Sequence, residues 1–468
     1  SIKHSIEAGD TYQTNYTIRL TSQFEGSDFA LFQKLKQAQA SDYCGYINTG
    51  THSILSASPE LFFHLRGNRI TTRPMKGTAK RGLSFAEDEA NSNWLYHSEK
   101  NRAENVMIVD LLRNDLNIIA EPGSVHVPKL FEIERYPTVH QMTSTIEATV
   151  SADRTLYEIF KALFPCGSIT GAPKISTMNI IAALESTPRE VYCGAIGFIT
   201  PDQEAVFNVP IRTVWIEHAT GKATYGVGGG ITWDSTTEGA FEEILAKARL
   251  LEINRPEFQI LESLLLEEGR YFLLEEHLTR LSQSAKYFKL HYPLEDIKTT
   301  LSKFALQHSK GLLKVRLLLG KNGQLTVEGS PISPMITPLK MVVADQPIDK
   351  NHPFLYHKTT NRSIYQYFQL QKPSEAFDIL LWNEDGELTE FTNGNVVLEI
   401  DGTYWTPPAK SGLLAGTFRE HLLKQGSIHE KVLTIADIKK SKGVWFINSV
   451  RKWAKVEFIN PDSTDNDC

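Results

Sequence analysis

Three glycine-rich segments in the first half of the sequence combine small hydroxyl residues with isolated charges. They lie at residues 74–82 (PMKGTAKRG), 164–174 (FPCGSITGAPK) and 226–230 (GVGGG). Glycine lets backbone N–H groups approach an anion closely, and Ser and Thr add hydroxyl donors. None of the segments is a P-loop, because the pattern G-x-x-x-x-G-K-[ST] does not occur. The segments therefore predict either a site for an anionic ligand or three tight turns.

Two glutamates in helical patterns offer ligands for a hard cation. Glu104 shares a helix face with Ile108 and Leu111, and Glu243 is followed four residues later by Lys247. Carboxylates from two helices suit Mg²⁺, which keeps water and substrate oxygens as its remaining ligands. The alternative is that both glutamates are solvated surface residues.

The second half contains the residue types that a pyridoxal phosphate (PLP) site requires. These are a lysine, an acidic partner for the pyridine nitrogen and a turn that holds phosphate. Lys358, Glu390 and the turn at Gly416 and Thr417 supply them. Taken alone, Lys358 is more typical of a surface lysine, and only the order of all the segments favours the PLP site.

Strand and helix patterns alternate around these residues. In the first half we predict strands at 53–57, 61–65 and 224–230 and helices at 102–116 and 235–253. A proline-containing stretch at 254–256 predicts a domain boundary. A helix-rich stretch at 257–308 follows, and then strands at 312–319, 339–344, 378–382, 396–400 and 444–448. The predicted class is α+β, with domains at 1–254 and 257–456 and a polar tail at 457–468.

Composition excludes several classes of protein. A net charge of −6 over 468 residues provides no basic field for nucleic acid, and no apolar run is long enough to span a membrane. The four cysteines are far apart and lack metal-ligand spacing. We expect reduced thiols and a cytoplasmic protein. Because the chain begins at Ser1, we also expect that a natural N-terminal part is missing.

A series of motifs over residues 1–253 resembles the chorismate-utilising enzymes. They are GDTYQTN at 9–15, SPE at 58–60, the 74–82 segment, MIVDLLRNDL at 107–116, GSITGAPK at 167–174, IRT at 211–213 and the glycine run at 226–230. The resemblance implies ammonia as the nucleophile, because Gln13 stands where water-adding members carry a lysine. It also favours aminodeoxychorismate synthase over anthranilate synthase, which carries alanine in place of Lys76.

The same resemblance implies a role for each residue of this site. Lys76 is the nucleophile that attacks the ring, and Glu60 is the general acid. Glu104 and Glu243 hold Mg²⁺, and His140 supports the leaving-group side. The other substrate-binding residues implied are Gln13, Thr170, Tyr192, Arg212, Gly228 and Gly229. Two features depart from the family. Asn101 and Ala240 stand where a second acidic residue is usual, and the N-terminal region that completes the sheet in relatives is missing or lies outside this chain.

The second half resembles the fold-type IV PLP enzymes, which include aminotransferases and aminodeoxychorismate lyase. The motifs are EHLTRL at 276–281, YHKTTNR at 356–362, GELTEFTNGN at 386–395, SGLLAGTFR at 411–419 and NSVR at 448–451. The resemblance implies that Lys358 forms the Schiff base with the cofactor and carries the proton, and that Glu390 faces the pyridine nitrogen. Arg280, Thr417 and Ser449 would contact the phosphate.

Each half constrains the function of the other. An aminodeoxychorismate synthase makes the substrate of the lyase, so together the halves would convert chorismate and ammonia into 4-aminobenzoate and pyruvate. We expect ammonia from a separate glutamine amidotransferase subunit and a homodimer formed through the second half. The alternatives are an anthranilate synthase fused to a D-amino-acid or branched-chain aminotransferase, and a catalytically impaired scaffold.

Overall fold

The computed structural model of the chain describes residues 1–151, 153–252, 256–333 and 335–459. The chain divides into two compact units, which are 1–81 with 89–255 and 82–88 with 256–468. Most of the polar tail predicted at 457–468, and residues 253–255 at the predicted domain boundary, lie outside the described residues. Among those that are described, no helix is long and apolar enough to cross a membrane.

Up to residue 252 the chain alternates helices and antiparallel strands. The helices are α1 (Ile2–Glu7), α2 (Asp28–Gln39), α3 (Phe85–His97), α4 (Glu99–Asn117), α5 (Leu156–Leu163), α6 (Lys174–Leu184) and α7 (Thr237–Ala248). The strands are β1 (Gln13–Gln23), β2 (Tyr43–Asn48), β3 (His52–Ser58), β4 (Leu61–Arg66), β5 (Arg69–Arg73), β6 (Met75–Lys80), β7 (His126–Arg135), β8 (Val139–Thr149), β9 (Gly171–Ala172), β10 (Ile196–Ile199), β11 (Ala205–Asn208), β12 (Thr213–Glu217) and β13 (Lys222–Ile231).

Two sheets build the first unit. One has the strand order β2-β3-β12-β13-β1-β9, and the other has the order β10-β11-β4-β5-β8-β6, with β7 also paired to β8. Helix α4 packs on the second sheet through Ile108, Val109, Leu112 and Leu116, which recur at helical spacing and are all buried. This confirms the helix predicted at 102–116 and places Glu104 on it.

The glycine run lies in the middle of the first sheet, on β13. Gly228, Gly229 and Gly230 pair with Thr17, Tyr16 and Asn15 of β1. A Cβ atom on Gly228 would overlap the backbone of Tyr16 and Thr17, so only glycine allows the two strands to come this close. The predicted strand at 224–230 is confirmed, and the glycine run is a strand rather than a tight turn.

From residue 260 onward the chain forms a further set of strands and helices. The strands are β14 (Ile260–Glu267), β15 (Arg270–Tyr271), β16 (Leu312–Leu319), β17 (Leu325–Pro331), β18 (Leu339–Val343), β19 (Asp378–Trp382), β20 (Leu388–Phe391), β21 (Gly394–Ile400), β22 (Thr403–Thr406), β23 (His429–Glu430), β24 (Gly443–Asn448) and β25 (Lys452–Phe458). The helices are α8 (Leu274–Phe288), α9 (Leu294–Gln307), α10 (Ser363–Gln371), α11 (Thr417–Lys424) and α12 (Ile435–Lys440).

Two sheets build the second unit as well. The smaller has the order β15-β14-β16-β17 and packs on α8 and α9. The larger has the order β20-β19-β18-β25-β24-β21-β22-β23, and an additional pairing of β20 with β21 closes six of its strands into a ring. This ring encloses a core that includes Leu380, Phe391 and Phe446.

One sequence prediction for the second unit was wrong in its first part. The stretch 257–308 was expected to be helix-rich, yet it opens with the strand β14 before α8 and α9. Residues 260–266 are buried on both faces of this strand apart from the partly exposed Ser263, so the apolar residues do not alternate. A continuous apolar run of this kind does not reveal whether it is strand or helix.

The second unit also includes the short segment 82–88. The Tyr287 hydroxyl donates to the Gly82 carbonyl oxygen at 2.8 Å, and the His357 ring nitrogen Nε2 lies 3.2 Å from the Leu83 carbonyl oxygen. A single boundary near residue 255 therefore does not separate the two units completely, because residues 82–88 belong to the second unit.

Candidate active sites

Lys76 and Glu60 belong to the centre of the first unit. Lys76 lies on β6, and Glu60 immediately precedes β4 and is almost fully buried. The Ser168 hydroxyl donates to Glu60 Oε1 at 2.5 Å. Burial raises the pKa of Glu60 to about 7, although Ser168 and the charge of Lys76 act in the opposite direction. Glu60 can therefore hold a proton near neutral pH, as a general acid must.

Burial is the main factor that favours the neutral amine of Lys76. Burial lowers the pKa of Lys76, and the charge of Lys247 lowers it further. Glu104, Glu60 and Glu243 act in the opposite direction, which shows that all three carboxylates lie within electrostatic reach of the amine. A neutral lysine amine among acidic groups is a competent nucleophile.

Glu104 and Glu243 come from α4 and α7. Burial raises the pKa of Glu104, and the carboxylates of Glu243 and Asp234 act in the same direction against Lys76 and Lys100. The Glu243 carboxylate occupies the space that a Cβ on Gly229 would fill, with Oε2 at 2.7 Å from that position. The charge of Glu243 acts on Glu104, and two carboxylates within electrostatic reach of each other are a donor set that fits a hard divalent ion.

Within the described ranges, no group of three or more His, Cys, Asp or Glu side chains is arranged to hold a metal ion. Water and substrate would therefore have to complete the coordination of a cation held by the two glutamates. Lys247 Nζ donates to Glu243 Oε1 and to the Gly228 carbonyl oxygen, both at 2.7 Å. Asn101 Nδ2 donates to the Ser98 hydroxyl at 2.8 Å.

Gln13 and the glycine run form the wall next to Lys76. Gln13 is fully buried, and neither its Nε2 nor its Oε1 has a hydrogen-bond partner among the described residues. A Cβ on Gly230 would lie 2.5 Å from Gln13 Nε2 and 3.1 Å from Lys76 Nζ. A buried amide without a partner is costly, so this arrangement indicates a polar ligand above Gly230.

The remaining predicted substrate residues of the first unit have different surroundings. His140 is buried on β8, opposite Ala79 of β6. Arg212, at positive φ, donates to Gln39 Oε1, and the charge of Glu60 acts on it. Tyr192 packs its ring against Gly226. The Thr170 hydroxyl donates to the Cys166 carbonyl oxygen at 3.0 Å, so it would have to rotate to donate to a substrate carboxylate.

The predicted cofactor residues of the second unit line one cavity of about 400 Å³. They are Arg280, Lys358, Glu390, Thr417 and Ser449. Burial, followed by the charges of Arg280 and Arg362, lowers the pKa of Lys358 to about 7, although Glu262 and Glu390 act in the opposite direction. The Lys358 amine is therefore largely neutral just above neutral pH, as required of a lysine that holds a carbonyl cofactor.

Glu390 is held by two side chains at the base of this cavity. The Tyr365 hydroxyl donates to Oε1 at 2.8 Å, and Asn395 Nδ2 donates to Oε2 at 3.3 Å. Burial raises the pKa of Glu390 to about 7, despite the opposing bond from Tyr365. A buried carboxyl group that exchanges its proton near neutral pH fits the partner of a pyridine nitrogen.

The phosphate-binding candidates have protein partners of their own. Arg280 donates to both oxygens of the buried Glu262, at 3.0 and 2.6 Å. The Ser449 hydroxyl donates to the Ser263 carbonyl oxygen at 3.2 Å. Thr417 is the first residue of α11, whose backbone N–H groups offer further donors. The chemistry of this donor set fits the phosphate of PLP.

Sequence reasoning missed several residues of both sites. It quoted Ser168 inside a motif but gave it no role, and it treated Lys247 only as a helix-surface partner of Glu243. In the second unit it missed Tyr365 and Lys314, and it quoted Arg362 and Arg451 inside motifs without giving them a role. Lys314 had no local signal, because it lies on a strand that only the fold brings to the cavity.

Comparison with known families assigns a family to each half of the chain. Residues 1–252, more than half of the chain, match the family described as chorismate binding enzyme. The chain belongs to the chorismate-binding enzyme family. Residues 259–459 match the class IV aminotransferase family, so a class IV aminotransferase domain is fused to the chorismate-binding domain. A domain of this class implies PLP. The two families confirm the predicted fold class.

Individual relatives of this chorismate-binding family member match its first half. Aminodeoxychorismate synthase component 1 of Klebsiella aerogenes is 40% identical over 248 residues, which cover 53% of this chain and 54% of that protein. The protein of the same name from Bacillus subtilis (strain 168) is 38% identical over 263 residues, which cover 55% and 56%. The chain thus spans about half the length of these relatives.

A solved structure shares the fold of the first half. Anthranilate synthase component I from Streptococcus pneumoniae TIGR4 superposes with a TM-score of 0.50 at 31% identity. The match covers 54% of this chain and 55% of that one.

Proposed function

We propose that the chain makes 4-aminobenzoate from chorismate and ammonia in two reactions. The first unit replaces the C4 hydroxyl of chorismate with an amino group, and the second unit splits the resulting 4-amino-4-deoxychorismate into 4-aminobenzoate and pyruvate. The observation that carries the proposal for the first unit is a lysine of lowered pKa within reach of Glu60, Glu104 and Glu243. Relatives named aminodeoxychorismate synthase at about 40% identity support it.

In the first reaction, the neutral Lys76 amine attacks the ring at C2 as the C4 hydroxyl leaves. Glu60 gives its proton to that hydroxyl, which departs as water. Ammonia then attacks C4 and expels Lys76, so chorismate and ammonia give aminodeoxychorismate and water. Glu104 and Glu243 would hold Mg²⁺, which supplies positive charge opposite the ring carboxylate. Ser168 keeps the Glu60 carboxyl group in place through its hydrogen bond.

In the second reaction, Lys358 and Glu390 move protons. When bound, PLP supplies an acceptor for the electron pair released at the substrate carbon that bears the amine. Lys358 takes the proton from that carbon, and Glu390 holds the proton at the pyridine nitrogen. Arg280, Thr417 and Ser449 would hold the phosphate. The departure of pyruvate makes the ring aromatic, which drives the reaction forward.

The charge of the cavity favours this lyase reaction over transamination of a branched-chain amino acid. Its lining carries five basic side chains, one of them Lys358, and one carboxylate, Glu390. Burial lowers the pKa of Lys314, and the charges of Arg316, Arg451 and Arg362 lower it further, so Lys314 lies among positive charges. Aminodeoxychorismate brings two carboxylates, whereas a branched-chain amino acid brings one and an apolar side chain. The cation cluster therefore fits the substrate with more negative charge.

Product analysis tests the whole proposal. The full chain is incubated with chorismate, Mg²⁺ and ammonium chloride, with and without PLP, and the products are separated by liquid chromatography. We expect 4-aminobenzoate and pyruvate in equal amounts with PLP, and aminodeoxychorismate alone without it. Anthranilate would identify the first alternative, and the absence of any product would identify the scaffold. We further propose that a separate glutamine amidotransferase subunit replaces ammonium with glutamine, and that the chain is a homodimer.

Substitution of Gly230 tests whether the substrate occupies the space above the glycine run. In Gly230→Ala the new methyl group would fill the position next to Gln13 Nε2 and Lys76 Nζ. Both are ends of flexible side chains, so we expect normal folding but a kcat/KM for chorismate lowered by about 10²-fold, as for other small displacements of reacting groups. Gly45→Ala is the matched control, because its Cβ would make an ordinary contact at 3.7 Å with Ile196. Unchanged kinetics in Gly230→Ala would place the substrate elsewhere.

Substitution of Glu243 tests the metal assignment. Glu243→Gln keeps the shape of the side chain but removes its charge, so we expect the Mg²⁺ concentration for half-maximal chorismate consumption to rise at least about tenfold, the lower end of what an outer-shell change costs a metal site. Glu242→Gln, on the neighbouring exposed glutamate of α7, is the control and leaves the Mg²⁺ requirement unchanged. Full turnover by the wild type in excess EDTA would contradict the metal assignment.

A further inference from the structure

A chain of three buried polar side chains lies behind the cavity of the second unit. His277 Nδ1 lies 2.7 Å from Glu262 Oε2, and His277 Nε2 lies 3.2 Å from the Thr417 hydroxyl oxygen. Glu262 and His277 are each about 1% exposed. Only Thr417 and Arg280 of this group line the cavity, so Glu262 and His277 act through them and have no role in the reactions above.

The charge of Glu262 decides which atoms donate and which accept in this series of hydrogen bonds. Burial alone would raise the pKa of Glu262, but Arg280 and His277 outweigh it and bring that pKa to about 2. Glu262 is therefore ionised and can only accept hydrogen bonds, so His277 Nδ1 must carry a proton. Burial lowers the pKa of His277, as do the charges of Arg280 and Lys358, against the pull of Glu262. In the neutral form that this direction favours, the ring has a lone pair at Nε2.

A neutral His277 turns the Thr417 hydroxyl away from an anion. Its single proton must be donated to His277 Nε2, which leaves only lone pairs of the oxygen facing the cavity. A phosphate dianion presents acceptors and would be repelled by these lone pairs. The positive charge of Arg280 is already balanced by Glu262, with which it forms two hydrogen bonds. A second proton on His277 would remove both difficulties.

We propose that His277 takes up one proton when a phosphate monoester binds next to Thr417, and that this proton reverses the Thr417 hydroxyl. Nε2–H then donates to the Thr417 oxygen, and the Thr417 proton is donated to the phosphate. His277 is thus a positioning residue that matches the charge of the ligand. The inference rests on the proposed placement of the cofactor phosphate at Arg280 and Thr417.

The charged groups around His277 come from three elements. Glu262 faces it from β14, Arg280 from its own helix α8, and Lys358 from the segment before α10, while α11 contributes the neutral Thr417. Because binding takes up a proton, affinity for the ligand must fall as pH rises, by up to tenfold per pH unit. Lys358 also loses charge in this range, so the slope has to be compared between variants.

Pyridoxine 5′-phosphate is a suitable probe, because it carries the phosphate but no aldehyde that could react with Lys358. Above pH 7 its phosphate is already a dianion, since the second pKa of such esters is about 6. The full-length apoprotein is titrated with it by calorimetry between pH 7 and 9, in the wild type and in His277→Gln, whose neutral amide keeps an N–H donor. We expect the affinity of the wild type to fall more steeply with pH, by up to a further tenfold per unit.

Nitrogen-15 NMR of histidine-labelled protein gives the direct readout. We expect one of the 14 histidine signals to change from one protonated ring nitrogen to two on addition of pyridoxine 5′-phosphate. That signal is absent in His277→Gln and present in the control His429→Gln, at an exposed site. Thr417→Val removes the acceptor of Nε2–H and should abolish the change, which keeps the test valid if His277→Gln does not fold. Binding with an unchanged His277 signal would overturn the inference alone, whereas no binding would overturn the cofactor assignment.

Discussion

Replacing Lys76 with alanine should abolish the formation of aminodeoxychorismate. The substitution removes the proposed nucleophile, so we expect the rate of the first reaction to fall on the order of 10³-fold or more. Because anthranilate synthases carry alanine at this position, the variant should retain a binding site for chorismate and yield some anthranilate-type product. The measurement is chromatographic analysis of products from chorismate, Mg²⁺ and ammonium in the absence of PLP.

The control for this variant is another lysine of the same strand. Lys80 lies at the exposed end of β6, and Lys80→Ala should leave aminodeoxychorismate formation unchanged. Glu60, the proposed general acid, has a pKa of about 7, so it carries a proton to donate only near or below neutral pH. Full aminodeoxychorismate output from Lys76→Ala would show that Lys76 forms no covalent bond to the ring.

The individual groups of the first site were predictable from local sequence. Lys76 and Glu60 lie in motifs, Glu104 and Glu243 were proposed from helical patterns, and the structure brings the three glutamates within electrostatic reach of Lys76. The motifs do not reveal which charges act on the Lys76 amine. Lys247 is separated from Glu243 by one helical turn, a spacing that normally indicates a surface ion pair, yet it also acts on Lys76.

In the second unit, the sequence did not reveal the partners of Glu262. The Glu262 carboxylate accepts from His277 and Arg280, but Glu262 lies on a strand where a helix-rich stretch was expected. Since β14 is buried on both faces, its apolar run has no period, and an isolated glutamate in it gives no sign of its partners. Long-range pairing of this kind depends on how β14 and α8 pack, which local patterns do not encode.

Replacing Lys358 with alanine should separate the two reactions. The substitution removes the proton carrier of the second unit but none of the residues assigned to the first. Wild type with PLP should convert chorismate to 4-aminobenzoate, whereas Lys358→Ala should accumulate aminodeoxychorismate and release no pyruvate. We expect 4-aminobenzoate formation to fall by about 10³-fold or more, because a group that both holds the cofactor and transfers the proton is lost. Lys410→Ala, at an exposed lysine of the same unit, is the control.

The aminotransferase alternative predicts a different result for the same pair of proteins. A transaminase would exchange an amino group between an amino acid and a keto acid, and Lys358→Ala would lose that exchange as well. The lyase gains from the aromatic ring that forms as pyruvate leaves, whereas a transaminase half-reaction has no such driving force. The charge of the cavity wall, where Lys314 lies within electrostatic reach of Arg362 and Arg451, agrees with the two carboxylates of aminodeoxychorismate. Rapid transamination by the wild type, without release of pyruvate from aminodeoxychorismate, would show that the second unit is an aminotransferase.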